Sequence, residues 1–167
     1  KDNLGYLEPI EEFLRSLARE HNITLHVATG KPYVLSGVAV VNEHWTLDHE
    51  IDYLQGADIG LMPLHDTPRA RGKCAFKALQ YMAVGTPVVL SPVGMNAEVV
   101  IDGVDGFHAT TPEEWREKLT RLITEPALRE SMGRAARETV RTRYSHEVYY
   151  PVLKELLTKV AGTDLRT

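Results

Sequence analysis

The sequence predicts an α/β protein built on a doubly wound parallel sheet. Two observations carry that prediction. Apolar runs of strand length, such as "DIGLMPL" (58–64) and "TPVVLS" (86–91), alternate with amphipathic stretches of helical period. Runs with no polar face suit strands buried on both sides, as in a parallel sheet. The chain is also long enough to bury a core: 167 residues, 43% apolar and 25% charged, describe one globular domain.

Taken in order, residues 7–20 place Leu7, Ile10, Phe13, Leu14 and Leu17 at helical spacing. "ITLHVAT" (23–29) alternates and is bounded by Gly30 and Pro32, which reads as a strand. "GVAVVN" (37–42) is a second strand, and 47–56 a short helix closed by Gly56. Between the runs 58–64 and 86–91 lies a helix expected to start near Lys73 and end at Gly85. Residues 96–102 read as a short helix closed by Gly103, and "GFHAT" (106–110) as an edge strand. Thr111, Pro112 and Glu114 form a capping box that opens a helix over 111–123. Two further helices, 126–143 and 146–160, complete a helical C-terminal tail.

Composition excludes several classes. A net charge of −4 argues against a general nucleic-acid binder. Cys74 is the single cysteine, so an internal disulfide and a Cys-rich metal site are both ruled out. No apolar run approaches membrane-span length, and no signal-peptide pattern opens the chain. The chain opens at Lys1-Asp2-Asn3 without methionine and is expected to be a piece of a longer protein.

The chemistry is expected where a doubly wound sheet holds its ligands, beyond the carboxyl ends of its strands. There Leu64 leads into His65-Asp66 and a loop rich in cations, Arg69, Arg71 and Lys73. On the expected helix, Lys73, Lys77 and Gln80 stand at i, i+4 and i+7 and share a face. Cations at a helix N-terminus oppose the dipole unless an anion sits there, when N–H groups and cations both point at it. The alternative, a solvated cationic face with arginines decorating a loop, fits the spacing equally well.

Sharper motifs fail. Gly72-Lys73 imitates the end of a P-loop, but Cys74 replaces the magnesium-holding Ser or Thr and Thr67 stands where the loop needs Gly. No GxGxxG follows a strand. His44 and His49 would not share a helical face, His65-Asp66 reads as a loop pair, and Glu98 compensates a helix dipole. Trp45 and Trp115 read as packing residues. No catalytic group stands out.

Taken together, "ADIGLMPL", "GKCAFKALQYMAVGTPVVLSPVG" and "AEVVIDGVDGFHA", followed by the helical stretch from Thr111, resemble the donor-binding half of GT-B glycosyltransferases, the retaining group 1 or family 4. The resemblance implies a Rossmann-like C-terminal domain over 1–163, with 164–167 a tail and the first strand lying upstream. It would bind a nucleotide-diphosphate sugar without metal or other cofactor, as part of a cytoplasmic hexosyltransferase. A separate N-terminal domain would hold a sugar, lipid or other acceptor and supply any membrane contact. The isolated domain would bind nucleotide and transfer nothing, and its incomplete sheet offers an edge for self-association.

Departures accompany the resemblance. Of the family's two glutamates, eight positions apart, the first falls on Gly72 and the second, which binds ribose, on Gln80. Its phosphate-binding lysine falls on Leu4. Arg71, Lys73 and Lys77 would replace the lost cations, with Leu64, Gly72, Cys74, the Gly94-Met95-Asn96 turn and the Asn3-Leu4-Gly5 segment adding donor contacts. Two other readings are a catalytically inactive α/β nucleotide-binding or interaction module, and half of a nucleotide-sugar epimerase.

Overall fold

A computed structural model describes residues 4–162. The expected donor contact at Asn3 and the tail 164–167 lie outside those residues. Short 3-10 turns, Leu4–Tyr6 and Glu8–Ile10, lead into helix α1 (Glu11–Glu20). Strand β1 (Thr24–Ala28) pairs in parallel with β2 (Ala39–Glu43), Leu25 opposite Val40. Helix α2 (Glu50–Gln55) precedes β3 (Gly60–Met62), and α3 (Pro68–Arg71) and α4 (Phe76–Val84) precede β4 (Val88–Leu90). Helix α5 (Asn96–Val99), β5 (Phe107–His108), α6 (Pro112–Thr124) and α7 (Pro126–Thr139) follow. A π-helical turn, Val140–Tyr144, then leads into α8 (His146–Ala161).

β4 lies between β3 and β5, parallel to both. Its three residues are fully buried and divide between two cores. Val89 packs with Phe13, Leu17, Trp115 and Leu119, from α1 and α6. Val88 and Leu90 pack with Ala78, Met82 and Val99, from α4 and α5. A strand alternates its side chains between faces, so helices lie on both, and the doubly wound arrangement follows. The helices keep the period read in the sequence. α1 buries Phe13, Leu14 and Leu17, and Phe13 stacks on Trp115 of α6 at 6.1 Å. The capping box is formed: Glu114 N–H donates to Thr111 Oγ1 at 3.3 Å, and Thr111 N–H to Glu114 Oε2 at 3.2 Å.

Several boundaries differ from the sequence reading: the strands are shorter, and the helix read over 96–102 ends at Val99, where Val100 and not Gly103 caps it. The helix expected over 126–143 gives way to the π turn after Thr139, and α1 begins at Glu11 because 8–10 form a 3-10 turn around Pro9. The helix expected from Lys73 begins only at Phe76, as α4, and a separate short helix, α3, precedes it. The strands, all parallel to their neighbours, form two sheets, β1–β2 and β3–β4–β5, instead of one. α8 buries none of its residues.

Gly133 of α7 faces the turn that ends α4, where Gly85 adopts φ +85. A Cβ at Gly133 would run into the Gly85 carbonyl, a backbone atom that has no rotamer to move. Gly133→Ala is therefore expected to cost about 1–3 kcal/mol, the range for overpacking. Gly30→Ala, with nothing nearby to strike, should stay within about 0.5 kcal/mol. Urea midpoints at unchanged slope read both.

Candidate functional site

The carboxyl ends of β3 and β4 open into two loops that are locked together. After β3, Leu64 N–H donates to Ser91 Oγ, beyond β4, at 3.0 Å. Ser91's carbonyl accepts from Asn96 Nδ2 at 3.0 Å, while Asn96 Oδ1 is buried with no protein partner. Gly94, at φ +57, lies against the backbone of Arg71: a Cβ there would stand 2.5 Å from the Arg71 carbonyl oxygen. Only glycine fits both that conformation and that approach. Four of the expected site residues, Leu64, Arg71, Gly94 and Asn96, are thus held in these loops, by two hydrogen bonds through side chains and one close backbone approach.

The connection to α4 differs from the sequence reading. Thr67 Oγ1 accepts from Ala70 N–H at 3.2 Å and Pro68 occupies the first turn, so α3 forms and Gly72 closes it. Ala75, fully buried, then adopts φ 54, and α4 begins only at Phe76. Lys73 and the exposed Cys74 stand in the connector, so Lys73 does not share a helical face with Lys77 and Gln80. The Thr67-Pro68 pair was a legible start signal for α3. The left-handed Ala75 had none, and that conformation costs roughly 1–2 kcal/mol in a residue with a Cβ. Such strain gathers at functional sites. Ala75 provides no side-chain cap, leaving the first N–H groups of α4 without one.

The cations each hold a different partner. Arg71 grips Asp66 in a fork, Nε to Oδ1 at 2.6 Å and Nη2 to Oδ2 at 2.8 Å, and holds that carboxyl below its usual range. Lys77 Nζ lies 2.6 Å from Glu50 Oε1, which also accepts from Trp45 Nε1 at 3.0 Å. Gln80 Nε2 donates to Glu50 Oε2 at 2.8 Å, and Gln80 Oε1 is buried without a partner. Lys73 Nζ sits 4.3 Å from the Tyr6 ring centre, and the His65 ring lies 5.6 Å from the same ring. Among the described residues Lys73 makes no ion pair, so it alone of the three is not already neutralised.

Glu50, Trp45 and Tyr6 are the residues that sequence reasoning missed. Lys77 and Gln80 lie 27 and 30 positions from Glu50, and no local pattern predicts that meeting. Trp115 packs as expected, but Trp45 is half exposed and spends its indole N–H on Glu50. Gly5 lies in the first 3-10 turn, next to Tyr6. A cavity of about 1640 Å³ joins Tyr6, Lys73, Lys77, Glu50 and Trp45 and continues between β1 and β3.

Residues 39–139 match the family of glycosyl transferases group 1. The chain belongs to that family. A D-inositol 3-phosphate glycosyltransferase of Streptosporangium roseum is 32% identical over 91 residues, 53% of this chain and 20% of that enzyme. The C-terminal domain of the group 1 protein LpcC from Francisella tularensis superposes with a TM-score of 0.56 at 22% identity, covering 67% of this chain and 56% of that one. S. aureus TarM, solved with fondaparinux, alpha-GlcNAc-glycerol and UDP, superposes at 0.69 and 16% identity, over 91% of this chain and 32% of TarM. These likenesses establish the GT-B C-terminal type of fold, and the group 1 match reaches from β2 to the end of α7. Among the described residues no helix is long and apolar enough to cross a membrane.

Hydrogen bonds from Lys77, then Trp45 and Gln80, hold the Glu50 carboxyl below its usual range. The folded state therefore favours the charged form; the stabilisation is present above the ordinary glutamate range and is lost as pH falls through the lowered value. Carbon-detected NMR titration should place the Glu50 midpoint below that of an unpaired glutamate. Lys77→Met should raise it. The melting difference between the parent and Glu50→Gln should close at acid pH.

Proposed function

We propose that this chain is the donor half of a glycosyltransferase and grips the nucleotide-diphosphate sugar from which a hexosyl group is transferred. The acceptor is held by a further domain of a longer, cytoplasmic polypeptide, and the 167-residue chain binds nucleotide without transferring sugar. The observation that carries this reading is the locked pair of loops beyond β3 and β4, sealed by Gly94 on Arg71, with Lys73 beside the uncapped start of α4. The group 1 match and the UDP held by TarM support it.

In this arrangement Lys73 and the first N–H groups of α4 meet the diphosphate. They neutralise the charge that grows on the leaving group, a role that preorganised cations and dipoles fill without a metal. Glu50, a carboxylate already oriented by three donors, faces the ribose hydroxyls, and Gln80 holds it in place. Arg71 serves by keeping the two loops in register and by its fork with Asp66. Gly94 and Asn96 shape the wall opposite.

Calorimetric titration with UDP, GDP and ADP at low salt tests the reading. One nucleotide should bind. Lys73→Ala should weaken it about tenfold or more, the scale of a lost charged hydrogen bond, about 1.5–3 kcal/mol, and Gln80→Ala by less, about 0.5–1.5 kcal/mol, the scale of a neutral one. Arg134→Ala, which breaks only a pair with Glu130 on α7, should leave affinity unchanged. No heat from any of the three nucleotides with a folded sample overturns it.

A further inference from the structure

Trp45 is 45% exposed, although tryptophan side chains are highly buried on average. It is not a loose surface ring. Its indole N–H donates to Glu50 Oε1 at 3.0 Å, which holds one edge of the ring in place. The loop that carries it, past the carboxyl end of β2, is pinned on either side. Before Trp45, the His44 carbonyl accepts from Tyr53 Oη at 3.1 Å. After it, Thr46 Oγ1 lies 2.9 Å from His49 Nδ1, and the His49 and Tyr53 rings meet at 6.2 Å. Trp45 lies outside every motif that carries the family resemblance.

Resting on the donor reading, we infer that Trp45 is the platform on which the donor's nucleobase stacks. In that reading Lys73 and the start of α4 take the diphosphate, and Glu50 takes the ribose. The ribose of a nucleoside diphosphate lies between phosphate and base, so the base falls on the far side of Glu50 from Lys73. Trp45 is bonded to Glu50, whereas the ring beside Lys73 is Tyr6. All four residues line one cavity.

Stacking suits this ring for a physical reason. Every base has a π face, and an indole already held at one edge offers contact area with little side-chain freedom left to lose. Two contacts are also coupled, because the carboxylate that faces the ribose is the one that sets the ring. A π face does not read the hydrogen-bonding groups on a base edge, so Trp45 supplies affinity and leaves the choice among bases to other groups.

Trp45→Ala and Trp45→Phe separate the ring from its hydrogen bond. Both take the indole N–H away from Glu50, which keeps Lys77 and Gln80, and only phenylalanine keeps a π face. Calorimetric titration of the 167-residue chain and both variants uses UDP, GDP, ADP and inorganic pyrophosphate, with the melting temperature read on each protein. For whichever nucleotide binds the parent, Trp45→Ala should weaken binding about tenfold and Trp45→Phe about threefold or less. Pyrophosphate, which has no base, should bind all three alike. The nucleotide should also quench indole emission in the parent and not in Trp45→Phe, where the one tryptophan left is the buried Trp115. A Trp45→Ala chain that binds nucleotide as the parent does overturns the inference and makes the ring a packing surface for another domain. Equal losses in the two variants overturn it as well, because the ring then acts only through Glu50. So does a matching loss of pyrophosphate binding. A parent that binds none of the nucleotides overturns the donor reading and this inference with it; in every other failure the parent binds and the inference alone falls.

Discussion

The burial of β4 is the constraint on which the other elements depend. Val88, Val89 and Leu90 are fully enclosed, and the alternation of their side chains serves both cores at once. Parallel pairing on both sides fixes β3 and β5 to it. Once β3 and β4 are in register, their carboxyl ends finish at the same level, and the loops that leave them have little choice but to meet. Ser91 and Gly94 turn that proximity into a fixed arrangement, one through its hydroxyl and the other through a missing Cβ. The site is thus a consequence of core packing, with no element of its own to hold it.

The charge arrangement at this edge is largely self-neutralised, and its energetics decide what that means for an incoming anion. The Arg71–Asp66 pair is more than half exposed on both sides, and Lys77 is half exposed in its pair with Glu50. Pairs this open to water contribute little, and the Glu50 carboxylate is the more covered of the two carboxylates. Exchanging a carboxylate for a phosphate at such a pair costs little, so the pairing stores cations without locking them away. Lys73 differs in kind. Its partner is an aromatic face, and it keeps a full charge for a phosphate while the ring limits where it can go.

Much of the architecture was legible in the sequence, for identifiable reasons. α1 and α6 carry apolar residues at helical spacing, and the Thr111 capping box announces where α6 starts. "TPVVLS" reads as a doubly buried strand because no polar residue interrupts its centre. The break between α3 and α4 was hidden because it turns on Ala75, a strong helix former held in a left-handed conformation by complete burial. The Glu50 cluster was hidden for another reason. Its members come from β2's following loop, α2 and α4, and only the packing of α2 on α4 brings them together. The carboxyl-end rule of a doubly wound sheet pointed to this edge, and tertiary packing supplies the partners of its cations.

The amino-terminal turn and the candidate donor edge line one cavity, and this ties the fold to the chemistry. Tyr6, in the turn Leu4–Tyr6, meets both Lys73 and the His65 ring, so that turn and the loop after β3 converge on the same cation. The ring adds no new charge; it narrows the positions open to the one already present. A phosphate that meets a preplaced ammonium avoids the cost of ordering a long side chain, about 0.5–1.5 kcal/mol for an immobilised rotamer-rich residue.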